Sequence, residues 1–102
     1  MTTTPCILLV EDNPMDLDLA LRAFRRRKLT NPIDVARDGE EALAWIPRWE
    51  SGTPTPAVIL LDLKLPKISG LEVLRQLKTH PTLRSIPVVV LSQLNREVEH
   101  RQ

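Results

Sequence analysis

Cys6-Ile7-Leu8-Leu9-Val10-Glu11-Asp12-Asn13-Pro14 is the stretch that decides the fold. Five apolar residues without polar alternation suit a strand covered on both faces of a parallel sheet. The chemistry then changes within one residue to an acidic pair, Glu11-Asp12. Asn13 suits a helix N-cap, and Pro14 suits the first helical position, where the N–H it lacks would have no intrahelical acceptor. The segment therefore reads as a buried strand that ends in carboxylates and turns at once into a helix.

Downstream the same alternation repeats. Leu17, Ala20, Leu21 and Phe24 fall at i, i+3, i+4 and i+7 and give the first helix an apolar face, while Arg22 and Arg25-Arg26-Arg27-Lys28 place positive charge toward its C-terminus. Ile33 to Ala36 is a second, shorter strand, interrupted by Asp34 and so expected at a sheet edge. Asp38-Gly39-Glu40-Glu41 begins a second helix with Ala42, Leu43 and Ile46 turned inward. Pro47 predicts a kink or an early end there, with Trp45 and Trp49 on either side serving as core rather than recognition residues. After the loop at 51–56, Ala57 to Leu61 is apolar throughout, hence central, and ends at Asp62. Gly70 opens a third helix with Leu71, Leu74 and Leu77 as its buried stripe, closed by His80-Pro81. Ile86 to Leu91 is the fourth strand, its proline confined to the start, with Ser92 at its end. From Asn95 to Gln102 only Val98 is apolar, enough for a short exposed helix at most.

A β-α-β-α-β-α-β order with short connections implies an α/β fold, a doubly wound parallel sheet with right-handed crossovers. The 102 residues, 42% hydrophobic and 26% charged, allow one domain and no second. A net charge of +1 gives no global attraction to nucleic acid or to an anionic membrane, so neither is an expected partner, and the cations at 25–28 read as a solvated helix end. The single cysteine, Cys6, excludes an internal disulfide or a cysteine zinc cluster and reads as a core residue in a reducing compartment. No run approaches the length of a membrane span and Met1 to Pro5 do not resemble a signal peptide, so the expected location is the cytoplasm. His80 and His100 are isolated and read as surface residues rather than metal ligands.

In doubly wound sheets ligands bind beyond the carboxyl ends of the strands, where the winding reverses. Those ends carry Glu11 and Asp12 after strand one, Asp62 after strand three and Ser92 after strand four. If strands one and three are neighbours, three carboxylates share one crevice, and their repulsion must be relieved by a proton or a cation. All-oxygen ligands in a partly open site favour magnesium, Mg2+. A lone acid at a strand end is ordinarily a cap or a solvated loop residue; the conjunction of acids and hydroxyl is what points to chemistry.

Four blocks then carry a close resemblance to the receiver domain of two-component response regulators. They are Leu8-Leu9-Val10-Glu11-Asp12-Asn13-Pro14, Asp38-Gly39-Glu40-Glu41-Ala42-Leu43, Leu60-Leu61-Asp62-Leu63-Lys64-Leu65-Pro66-Lys67-Ile68-Ser69-Gly70 and Pro87-Val88-Val89-Val90-Leu91-Ser92. They stand in the family's order over nearly the whole chain. The long loop after the second helix and the Asp-Leu-Lys-Leu-Pro-Lys wording look most like small single-domain receivers paired with phytochrome-type histidine kinases. The resemblance implies the flavodoxin-like receiver fold with strand order 2-1-3-4. It makes Asp62 the phosphoacceptor for a phosphohistidine on a sensor histidine kinase, and Asp12 a direct magnesium ligand. Glu11 becomes a ligand acting through water, the Lys64 backbone carbonyl a further metal contact, and Ser92 the hydroxyl that turns to the phosphoryl group. Met15, Leu17 and Asp18 on the first helix are the implied kinase contacts.

The departure from the family lies at the C-terminus. Ten residues follow Ser92, whereas a crossover with its helix takes about 10–12 before another strand can begin. The expectation is a receiver domain over 1–102 that is C-terminally incomplete, with the fifth strand, the fifth helix, the usual lysine and the aromatic switch residue missing. The open edge beside Val88 to Leu91 then predicts either a fragment of a longer domain or a homodimer that satisfies the edge. Three other readings compete. An aspartyl-nucleophile phosphatase or mutase wants a second acid where Lys64 stands. A dinucleotide-binding domain wants glycines after strand one. A degenerate receiver would act as a phosphorylation-independent protein-binding module; the acids and Ser92 argue against it and the missing elements for it.

Overall fold

A computed structural model describes residues 4–91. Its elements are β1 (Ile7–Val10), α1 (Pro14–Arg26), β2 (Ile33–Ala36), α2 (Gly39–Glu50), β3 (Val58–Leu61), α3 (Gly70–Thr79), a 3-10 turn (Leu83–Ser85) and β4 (Val88–Val90). The strands form one parallel sheet in the order β2-β1-β3-β4, the order that the resemblance to receiver domains implies. The chain steps from β1 to β2 in one direction, then back over β1 to β3 and on to β4. Right-handed crossovers therefore set α1 on one face and α2 with α3 on the other. β1 has a strand on each side and is buried along its whole length, whereas β2 lies at an edge.

Strand alternation divides the core between the two faces. Leu8, Val10, Ala36, Ile59 and Leu61 form one cluster with Ala42 and Trp49 of α2 and Val73 and Leu77 of α3. On the opposite face Ile7 and Leu9 are buried, yet no residue of α1 is; the predicted apolar face of Leu17, Ala20, Leu21 and Phe24 is half-buried. β4 pairs with β3 and has no second strand neighbour among the described residues.

Four expectations are corrected. α2 does not end at Pro47 but runs on to Glu50. Proline removes only its own N–H, and the Pro47 carbonyl still accepts from the Ser51 N–H at 3.0 Å and the Ser51 hydroxyl at 2.9 Å. Trp49 is buried beyond it, its ring 6.0 Å from that of Trp45, so burial offsets the lost bond. In α3 the inward positions are Gly70, Val73 and Leu77, while Leu71 is 62% exposed. The Ser69 hydroxyl caps the helix through the Glu72 N–H, and Val73 and Leu77 pack into the core cluster with Ala42 and Trp49. His80 is not an isolated surface residue: its Nδ1 accepts from the Thr82 and Leu83 N–H groups, and its Nε2 lies 2.9 Å from Glu50 Oε2. Cys6 is half-buried rather than core, its thiol beside Asp34. Ser92, His100 and the segment 95–102 lie outside the described residues.

Candidate functional site

The site is built by carrying the β-ladder one residue past the strands. The Glu11 N–H donates to the Ala36 carbonyl at 2.9 Å, and the Asp62 N–H donates to the Val10 carbonyl at 3.0 Å. Because Val10 and Leu61 are register partners, the residues that follow them emerge side by side. Glu11, Asp12 and Asp62 each bring a carboxylate oxygen into a cluster whose members lie within 4.8 Å of one another. Glu11 is 5% and Asp62 7% exposed, while Asp12 opens to solvent. Asn13 turns the chain away from the crevice, its side-chain oxygen accepting from the Met15 and Asp16 N–H groups at 2.8 and 3.2 Å.

Two backbone donors hold the buried acids. The Asn13 N–H donates to Glu11 Oε2 at 3.2 Å, and the Lys64 N–H donates to Asp62 Oδ1 at 2.9 Å. Burial raises the Glu11 carboxyl from its usual 4.5 to about 7; the Asn13 N–H opposes this, and the hydrogen bond and charge of Asp62 add to it. Among the described residues no lysine or arginine forms an ion pair with any of the three acids. The crevice thus concentrates negative charge that its own side chains do not neutralise. An all-oxygen donor set, open on the Asp12 side, fits a hard divalent ion.

The loop from Asp62 to Gly70 is fixed by contacts that sequence reading did not anticipate. A Cβ on Gly70 would lie 2.5 Å from the Asp62 carbonyl oxygen and from Leu63 Cα, and one on Gly39 would lie 2.2 Å from the Ile68 carbonyl oxygen. Both helix N-termini therefore press on the loop at points where only glycine fits. Lys67, at φ 69°, reaches back to Asp38 at 3.5 Å and Glu40 at 4.0 Å. The Asp38-Gly39 and Ser69-Gly70 pairs are the visible signals of this closure. Of the residues read as kinase contacts, Met15 is 75% exposed, Leu17 is half-buried, and Asp18 is exposed and paired with Arg22 at 3.0 Å.

The family pattern of the response regulator receiver domain matches residues 7–102. The chain belongs to that family. This receiver is 49% identical over 87 residues to the probable methanogenesis regulatory protein FilR2 of Methanothrix harundinacea, covering 84% of this chain and 56% of that protein. It is 40% identical over 93 residues to the response regulator Rcp1 of Synechocystis, covering 89% and 63%. It thus spans less than two thirds of either relative. Among solved structures, the bacteriophytochrome response regulator AtBRR superposes with a TM-score of 0.83 at 45% identity, over 98% of this chain and 76% of that one. The phosphorylated cyanobacterial phytochrome response regulator RcpA gives 0.79 at 39% identity, over 96% and 73%. The Mn2+-bound form of Rcp1 gives 0.76 at 40% identity, over 84% and 63%.

Proposed function

We propose that this receiver is a phosphoacceptor in two-component signalling, taking a phosphoryl group from a sensor histidine kinase of the phytochrome type onto Asp62, in the cytoplasm. The observation that carries the reading is the convergence of Glu11, Asp12 and Asp62 within 4.8 Å at the ends of adjacent strands. A carboxylate oxygen of Asp62 attacks phosphorus as the phosphorus–nitrogen bond to the donor histidine breaks; the electron pair returns to the imidazole nitrogen and an acyl phosphate remains. Phosphoryl transfer asks for alignment and charge neutralisation more than for an acid or base. The Lys64 N–H fixes the attacking carboxylate, and Gly39 and Gly70 let the loop close around it. Magnesium, held by Asp12, Asp62, Glu11 and the Lys64 carbonyl, would supply the charge neutralisation. Ser92 is the hydroxyl assigned to the transferred group, and Met15, Leu17 and Asp18 on α1 are assigned to kinase contact.

Beryllofluoride, which mimics a phosphoryl group on a carboxylate, separates this reading from a degenerate binding module. Added with magnesium, it should shift the amide resonances of residues 62–70 in the wild type and leave Asp62→Asn unchanged. An unresponsive wild type would favour the phosphorylation-independent module.

A further inference from the structure

The outer edge of β2 adjoins a groove of about 270 Å3 lined by Val35, Glu41, Ala44, Trp45 and Arg48. The bonds from the Ile7 N–H to the Pro32 carbonyl and from the Glu11 N–H to the Ala36 carbonyl bracket the β1–β2 ladder. In a parallel ladder every second residue bonds to a given neighbour, so Pro32, Asp34 and Ala36 face β1. Ile33 and Val35 turn their N–H and C=O groups outward, where no described strand lies. β2 is short and its one charge, Asp34, lies beside the Cys6 thiol, but it contains no proline and no lysine to guard the edge. Ala36 belongs to the core cluster on the α2 side, so alternation turns the Val35 side chain to the other face. What Val35 presents to the groove is its main chain.

We infer that β2 accepts an added strand from an acidic, extended peptide segment of a partner protein. Every second side chain of that segment would lie over the groove against Trp45, with a carboxylate meeting Arg48. The charge follows from the groove's own pairing. Glu41 accepts the Arg37 N–H at 3.0 Å, whereas Arg48 lies 4.6 Å over the Trp45 ring and has no carboxylate partner among the described residues. Main-chain bonds to Ile33 and Val35 would supply register, and the Trp45–Arg48 surface would supply selectivity, which is the division of labour in strand addition. Neither element contributes a carboxylate to the acidic crevice, so this inference stands apart from the phosphoacceptor reading.

The test uses the whole chain, labelled with 15N, and two synthetic peptides of one alternating pattern, Thr-Glu-Val-Phe-Val-Glu-Thr and the same with lysine for glutamate. The acidic peptide should slow amide exchange and shift the resonances at Ile33 and Val35. Arg48→Glu, an exposed change that leaves the strand intact, should weaken that peptide about tenfold and favour the lysine peptide instead. Val35→Pro removes an outward N–H without touching the β1 ladder and should abolish binding; if it does not fold, the Arg48→Glu reversal decides alone. No response at Ile33 and Val35 with peptide at about 1 mM, or equal binding of both peptides by wild type and Arg48→Glu, would overturn the inference.

Discussion

On the α2–α3 side of the sheet the helices bury Val73 and Leu77 to 1% and 3% exposure, while on the other side α1 buries no residue and leaves Met15 75% and Leu19 62% exposed. Both sides are built from helices with the same amphipathic spacing, so the difference lies in their neighbours. α3 has α2 and the 3-10 turn beside it; α1 has no helical neighbour on its face among the described residues. The acidic crevice sits where the two sides meet. Asp62 and its loop are clamped from the closed side by Gly39, Gly70 and Lys67, and Asp12 opens toward α1 and solvent. The carboxylate that must be held in place thus draws its supports from the closed side.

Truncating one leucine on each side should measure this contrast. Leu77→Ala is expected to cost about 3–4 kcal/mol, whereas Leu21→Ala in half-buried α1 should cost about 1 kcal/mol. Urea unfolding of both variants compares them, and equal losses would break the distinction between the faces. Gly70→Ala comes next, at about 2–3 kcal/mol, because its Cβ meets backbone rather than a yielding side chain. The same variant should shift the amide resonances of residues 62–70, and a silent loop would show that the clamp does not position Asp62.

Acidity gives the third effect. Between pH 4.5 and about 7 folded Glu11 keeps a proton that the unfolded chain has released. Stability without divalent cation should therefore fall as pH rises through this window, by roughly 1–3 kcal/mol, and level off above it. Thermal unfolding in chelator follows the slope, and Glu11→Gln should lack it; an identical profile in both proteins would remove Glu11 as its source. Smallest is Lys67→Met, which removes the exposed ion pairs to Asp38 and Glu40 at a cost of about 0.5 kcal/mol or less. A loss several times larger in urea would mean that charge, not backbone fit, closes the loop.

What could be read in advance followed from local physics. A continuous apolar run ending in Glu11-Asp12, and Asn13-Pro14 opening a helix, placed β1, α1 and two of the acids, since strand burial and capping act within a few residues. Asp34 placed β2 at an edge for the same reason. The misreadings all concern partners distant in sequence. Pro47 predicts a kink or an early end of α2, but the helix runs on to Glu50 with Trp49 buried beyond it. His80 reads as isolated until folding brings Glu50 beside it. Leu71 turns outward because folding packs Val73 and Leu77 of α3 into the core cluster with Ala42, Trp49, Ile59 and Leu61. The closeness of Gly39 to Ile68 and of Lys67 to Asp38 is likewise tertiary, and no short-range pattern encodes it.

On the proposed function the three acids form one cation-dependent phosphoacceptor site centred on Asp62. Intact mass spectrometry after incubation with acetyl phosphate tests it most directly, with and without magnesium, in the wild type and in Asp62→Asn. One added phosphoryl group is expected, base-labile as an acyl phosphate should be, that requires magnesium and is absent from Asp62→Asn. Labelling that survives this substitution, or that proceeds equally well in chelator, would contradict it.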